Sequence, residues 1–355
     1  MTVYSVLKKY CGFALRLYFK TLQINNVKSI PTSGPVIFIP NHQNAFLDAV
    51  IVICTTPRNP WSIARASVFK KGFVTTMLTA IQIKPVFRIR DGFGSLRNND
   101  ALIQEWSDML YAGHDIIIFA EGNHNEPYAA GDLQRGFARM ALQFEEKYSV
   151  PLTIVPVGCH YDDHYSFRSR VLVNFGDPIQ VDDIVKSTLT EREKLETLVA
   201  VTDKALKNLA IAIPSDEQYK SKFDFLIKYR TVQKDMSAQL ESDKRLLQSF
   251  PEPPNPTGKR KPVPTFWKAI NPLVWIGVFS NFLPYWFIAR FIKKKIKDPQ
   301  WISSLKFAFG ISLVPIYYLV VLIIFYVVYP NIWATVAVAI LLPATGILAT
   351  DLLKK

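Results

Sequence analysis

Three features of the 355-residue chain predict an α/β domain, a mostly parallel sheet flanked by helices, with an N-terminal interfacial helix and C-terminal membrane helices. Between about residues 30 and 180, short apolar runs alternate with longer stretches of helical periodicity, the pattern of βα units. Three of the apolar runs empty into polar turns, at 41–48, 88–92 and 121–124. In open α/β sheets functional groups gather beyond the carboxyl ends of strands, so the three turns are expected to share one crevice. After about residue 265 the apolar content gathers into segments of bilayer length.

Residues 3–22 carry apolar side chains at helical spacing from Val3 to Leu22, with Lys9, Arg16 and Lys20 on one face. An aromatic-rich apolar face beside a basic one suits a helix lying in a membrane interface, and equally a helix packed on the domain. Asn25–Ile30 and Pro35–Ile39 read as short strands separated by a Thr-Ser-Gly turn. A helix is expected over 46–56, a strand from Trp61 to Arg65, a helix over 67–80, a strand from Gln82 to Phe87 and a helix over 95–112. Asp115–Phe119 is apolar enough for a strand buried on both faces. A helix over 133–148 and a strand from Leu152 to Val157 follow, then two long charged helices over 190–247. These divide the chain into the helix 1–24, an α/β domain with a helical extension over 25–250, a linker at 251–266 and a membrane part from 267 to 355. The linker assignment rests on the six prolines between 251 and 264, which exclude regular structure.

In the membrane part, 305–329 holds one charge, Lys306, and 332–350 holds none, so each meets the requirement of about 20 apolar residues for a span. Pro330-Asn331 leaves room only for a tight hairpin. The segment 270–289 is interrupted by Asn281 and Pro284, and either spans or dips in and returns. The basic clusters at Lys259–Lys261, at Arg290–Lys297 and at Lys354-Lys355 favour one cytoplasmic side for all three. That predicts two spans plus a re-entrant or interfacial segment, with the α/β domain on the cytoplasmic face.

The 42 Lys+Arg against 29 Asp+Glu, a net charge of +13, suit nucleic acid, anionic lipid or phosphorylated substrates. The basic residues flank apolar segments and no nucleic-acid motif is present, which favours lipid. Cys11, Cys54 and Cys159 are far apart and odd in number, which argues against a disulfide framework or a zinc site. His160 and His164 with Asp162 and Asp163 suggest a metal cluster at first sight, but their spacing fits no ligand geometry, and a polar loop is expected there.

The first turn, Asn41-His42-Gln43-Asn44-Ala45-Phe46-Leu47-Asp48, places an imidazole six residues from a carboxylate at a strand-to-helix junction. Three further blocks follow: Pro85-Val86-Phe87-Arg88-Ile89-Arg90, Phe119-Ala120-Glu121-Gly122-Asn123-His124 and Ile154-Val155-Pro156-Val157. In this order and at these distances they resemble the glycerol-3-phosphate and lysophosphatidic acid acyltransferase family, over about residues 35–160. Leu133–Ala138 also resembles that family's helix after the third block. The resemblance implies acyl transfer from a thioester, acyl-CoA or acyl carrier protein, to a hydroxyl of a glycerophosphate-type acceptor among membrane lipids, with no metal or cofactor. It implies His42 as general base and Asp48 as its orienting acid. Asn41, Glu121, Gly122, Asn123 and His124 would contact substrate, with Arg88 or Arg90 as the phosphate-holding arginine. Pro156 would shape the acyl side of the pocket.

The chain departs from the family pattern in two places. The usual His-x4-Asp is here His42-x5-Asp48, with Leu47 where the acid would fall. The third block ends Asn123-His124 where the family has Thr-Arg, and Ala120 replaces a proline. The second departure leaves open a different acceptor, such as another lysophospholipid or an amino-acid lipid. The first leaves open a non-catalytic lipid-binding protein on the same fold.

Overall fold

The computed structural model describes residues 2–65, 79–86, 95–252 and 272–353. The helix expected over 67–80 falls largely outside them, as do Arg88, Arg90, the basic cluster at Lys259 and nearly all of the proline-rich stretch.

At the centre lies β2 (Val36–Pro40), every residue of which is buried. Successive strand residues point to opposite faces. Ile37 and Ile39 enter one core with Trp106 and Leu110 of α3 (Ser95–Tyr111) and Phe137, Met140 and Phe144 of α4 (Gly136–Tyr148). Val36 and Phe38 enter the other, with Leu15 and Tyr18 of α1 (Val3–Tyr18) and Leu47 and Ile51 of α2 (Ala45–Thr55). Each such side chain, fully buried, contributes about 1.5–3 kcal/mol. The strand is thus continuously apolar because both of its faces are covered.

The other strands are β1 (Thr21–Asn25), β3 (Trp61–Arg65), β4 (Ile83–Val86), β5 (Ile116–Ile117), β6 (Ala129–Ala130), β7 (Thr153–Tyr161), β8 (Arg170–Phe175), β9 (Ile179–Gln180) and β10 (Ile213–Pro214). The main sheet runs β1-β8-β7-β2-β5-β3-β4, with β9 also on β7, and β6 pairs separately with β10. Pairing is parallel except where β7 meets β8 and β9. The mostly parallel α/β architecture is as the sequence predicts.

Several local expectations change. The first helix ends at Tyr18, not near Leu22, because Phe19 turns extended and Leu22 pairs with Val171 in β1–β8. The 25–30 stretch is a short 3-10 turn, Val27–Ser29. The last strand of the motif region is nine residues long and carries on through His160 and Tyr161. The two helices expected over 190–247 are three: α6 (Glu191–Leu209), α7 (Tyr219–Tyr229) and α8 (Met236–Gln248), after the short α5 (Asp182–Val185). Pro214, within β10, cannot continue a helix and falls in the first break.

α1 shows two faces. Tyr4, Leu15 and Tyr18 are buried, while Val3, Val6, Leu7, Tyr10, Phe13 and Leu17 form an exposed apolar stripe at helical spacing.

Beyond the domain come α9 (Pro272–Ser280), α10 (Phe282–Lys295), α11 (Trp301–Val328) and α12 (Ile332–Leu353). Of these α11 and α12 are long and apolar enough to cross a membrane. α9 and α10 meet at a 61° bend. Asn281 sits at the bend, donating to Leu342 O (3.2 Å) and accepting from Tyr318 Oη (2.6 Å), so its amide ties the kink to α11 and α12. Gly277 lets α9 run against α12: a Cβ there would lie 2.2 Å from Thr345 O. The far end of α12 returns to the domain, where Asp351 pairs with Arg168 at 2.8 Å.

Candidate active site

β2 and β5 are adjacent and parallel, with Phe38 opposite Ile117, so the chains leaving them emerge side by side at one edge of the sheet. One becomes the turn at 41–48 and the other the turn at 119–125.

Asn41 fastens the first turn to β7. Its amide donates to Cys159 O (3.1 Å) and accepts from Cys159 N (2.7 Å), extending the ladder by a side chain. Buried and doubly engaged, Asn41 is a scaffold for the turn.

His42 Nδ1 lies 3.0 Å from Asp48 Oδ2. The extra residue between them does not separate the pair. It is absorbed at the head of α2, where Ala45 adopts φ 43°, a left-handed conformation that costs a non-glycine residue of order 1 kcal/mol. Asp48 Oδ2 also accepts the backbone N–H groups of Gln43 (2.8 Å) and Asn44 (2.7 Å), and Oδ1 accepts the Tyr161 hydroxyl (2.6 Å). The carboxylate is fully buried, meets donors on every side and sits in the first turn of α2, where the helix dipole favours negative charge. Burial and the neighbouring Asp48 hold the Tyr161 phenol well above its ordinary range, so it remains a donor.

With Nδ1 taken, Nε2 is the His42 nitrogen left to meet a substrate. The ring lies against Phe119, centroids 4.1 Å apart, and near His124 at 5.7 Å.

The second turn locks onto the first. Asn125 N donates to His42 O at 2.8 Å. Glu121 accepts from the backbone N–H of His42 and from the Asn125 side chain. Burial, with Asp48 adding repulsion, pushes the Glu121 carboxyl up to about 8. Gly122 takes φ 73°, which glycine adopts without strain, and its N–H closes the turn on Phe119 O (3.0 Å). Asn123 is exposed at the tip of this turn. His124 Nε2 lies 2.6 Å from Asp298 Oδ2, on the loop between α10 and α11.

Beside His124 is a cavity of about 370 Å³ lined by His124, Asn125, Glu126, Ser215, Asp216, Tyr219 and Gln300 among others. Pro156 is buried within β7 opposite Ile39, at the point where β7 changes partner from β9 to β8. A missing N–H there interrupts no pair with either strand, and the residue lies buried in the sheet.

The polar loop expected at 160–164 begins only at Asp162, because β7 continues through His160 and Tyr161. His160 is buried in β7, with Nε2 3.2 Å from Asp243. His164 is buried beneath the first turn, its Nε2 2.7 Å from Gln43 Oε1. Burial brings the His164 imidazole down to about 3, so it stands neutral, and its Nε2–H donates to that amide. Tyr161, Gln43, His164 and Asp298 are therefore parts of the site that motif reading missed. Only Tyr161 had a signal: continuing the period-two alternation of Val155, Val157 and Cys159 places it on the same face.

Residues 21–160 match the profile of the family described as Acyltransferase. Glycerol-3-phosphate O-acyltransferase 1 of Saccharomyces cerevisiae is 33% identical over 101 residues, 27% of this chain and 13% of that protein. Glycerol-3-phosphate O-acyltransferase 2 of the same yeast is 31% identical over 86 residues, 24% of this chain and 12% of that one. The aligned stretches thus span about one eighth of these relatives. The crystal structure of the 1-acyl-sn-glycerophosphate (LPA) acyltransferase PlsC from Thermotoga maritima superposes with a TM-score of 0.40 at 18% identity, covering 57% of this chain and 79% of that one. The profile match spans β1, β2, β5 and most of β7 together with both turns, so residues 21–160 form an acyltransferase-family domain.

Proposed function

We propose that the chain is a membrane-attached O-acyltransferase of glycerolipid synthesis, moving a fatty acyl group from a thioester of coenzyme A or acyl carrier protein to a hydroxyl of glycerol 3-phosphate or lysophosphatidic acid. The observation that carries this reading is the 3.0 Å contact between His42 Nδ1 and a buried, fully hydrogen-bonded Asp48. A hydroxyl is a weak nucleophile at neutral pH, and here His42 Nε2 takes its proton as the oxygen attacks the thioester carbonyl. The new C–O bond forms, the C–S bond breaks, and the departing thiolate recovers the proton from the imidazolium. Asp48 holds the ring in one tautomer and stabilises its charge between these steps. The helices α11 and α12, and the exposed apolar stripe of α1, support attachment to a bilayer. Arg88 and Arg90 are proposed to meet the acceptor phosphate, for which a guanidinium fork is suited.

A second reading concerns the acceptor. His124 faces a carboxylate, Asp298, and the adjoining cavity carries Glu126 and Asp216, which favours a headgroup other than a bare phosphate monoester. A panel of glycerol 3-phosphate, lysophosphatidic acid and zwitterionic lysophospholipids, each with acyl-CoA and acyl carrier protein, separates the two. His42→Ala is expected to abolish turnover with every pair; turnover retained in that variant refutes the mechanism.

A further inference from the structure

The head of α11 touches the 41–48 turn through Trp301 and Ser304, and the neighbouring segments through Ser303 and Lys306. Trp301 packs on Phe46 and His124, with centroids 6.1 and 6.0 Å away. Ser303 Oγ meets the Tyr18 hydroxyl at 2.8 Å, and Lys306 Nζ donates to Tyr165 O at 2.7 Å. Ser304 goes further. It is fully buried, accepts the Leu47 N–H (2.9 Å) and donates to Asn44 O (2.6 Å).

The first of these, onto the Leu47 N–H, is the bond a helix start ordinarily makes with its own N-cap side chain, and it adds to the contact that N–H makes with Asn44 O (3.0 Å). A helix leaves its first N–H groups without partners, and an N-cap side chain usually takes one of them. Here the N-cap residue Asn44 makes no such bond with its own side chain. The next residue, Ala45, holds its left-handed φ. Strained turns persist only where the surroundings over-determine them. Two groups do so here: Asp48 from inside α2, and Ser304 from a helix 260 residues away. The same strand-to-helix turn carries His42 and sets its distance to Asp48.

We propose that the head of α11 is part of the catalytic apparatus: Ser304 is a positioning residue for the His42–Asp48 turn, and Asp298 is a positioning residue for His124. The inference rests on the acyltransferase reading only for its kinetic readout. A helix long enough to cross a bilayer thereby supplies the cap of the catalytic helix, and the seating of α11 and the geometry of the base are one equilibrium. Asp298 engages Nε2 of His124 and so holds its ring beside that of His42, centroids 5.7 Å apart.

The test uses the full chain in proteoliposomes, with Ser304→Ala, Ser304→Thr and Asp298→Ala. Ser304→Ala is expected to lower kcat roughly tenfold to a hundredfold with the acceptor KM unchanged, the signature of a displaced reacting group. Ser304→Thr, which keeps the hydroxyl, restores most of kcat. Ser304→Ala adds no further loss on top of Asp48→Asn, since both act through one turn. Asp298→Ala raises the acceptor KM severalfold at nearly constant kcat. Independently of turnover, carbethoxylation of His42 by diethyl pyrocarbonate, read residue by residue by mass spectrometry, is expected to quicken at least about threefold in folded Ser304→Ala. Wild-type kcat and wild-type His42 reactivity in that variant overturn the proposal. So does a kcat loss that merely follows a lowered Tm with His42 reactivity unchanged. Absence of acyl transfer by the wild-type chain, with His42 reactivity still responding to Ser304→Ala, refutes the acyltransferase reading alone.

Discussion

Replacing Asp48 by asparagine removes one negative charge and almost no volume from a fully buried position. Three donors converge on Oδ2, from His42, Gln43 and Asn44, and one on Oδ1, from Tyr161. An asparagine with its oxygen in the Oδ2 place keeps the first three, and the Tyr161 hydroxyl rotates to accept from the new amide nitrogen. The fold should therefore survive, with a loss of about 1–3 kcal/mol as charge-assisted bonds become neutral ones. The larger effect is on the reaction. At Nδ1 to Oδ2 3.0 Å the charge centres of imidazolium and carboxylate stand about 4 Å apart, worth about 4 kcal/mol at an effective dielectric near 20. Since 1.36 kcal/mol is tenfold in rate, kcat should fall roughly a thousandfold. The assay is thiol release from acyl-CoA with acceptor present, run beside a thermal melt of the same preparation. A folded Asp48→Asn that keeps kcat within tenfold of wild type refutes the dyad as the source of base strength.

Two further outcomes follow from particular contacts. Because the Glu121 carboxyl rises from 4.5 to about 8, the folded protein holds a proton there that the unfolded chain has lost, and stability should fall as pH increases between those values. Glu121→Gln is expected to flatten that decline, amounting to a few kcal/mol at most, in Tm compared at pH 5 and pH 8.5; an unchanged slope would show that another group carries it. Gly277→Ala places a methyl 2.2 Å from Thr345 O, so α9 and α12 must part; a loss of about 1–3 kcal/mol is expected in detergent, and an unaltered melt would mean that the two helices do not pack this closely.

The central parallel strands β2, β3, β4, β5 and β7 and the membrane-length helices are legible because they depend on local periodicity. β2 reads as an unbroken apolar run since both of its faces are covered, and α11 and α12 stand out because long apolar segments with one charge each, near one end, have few other homes. The break between α6 and α7 was missed although Pro214 marks it, since charged residues on either side keep a helical pattern going. Phe19 likewise fits a helical pattern because Leu22 prolongs the apolar spacing by coincidence, and only pairing with β8 shows the chain already extended.

The site divides in the same way. By itself the sequence singled out the candidate turns, because a polar turn after a buried strand is a local event: His42, Asp48, Glu121 and His124 all lie in two such turns. It did not determine how Asp48 reaches His42 across one residue too many; that needed the left-handed Ala45, whose strain is tolerable only with Asp48 and Ser304 holding the helix start. Nor did it determine that Asn41 serves β7, that His164 supports Gln43, or that Asp298 meets His124. Those contacts join residues 118, 121 and 174 positions apart. A hydrogen bond between distant segments leaves no period in either one, so only their packing in space could decide it.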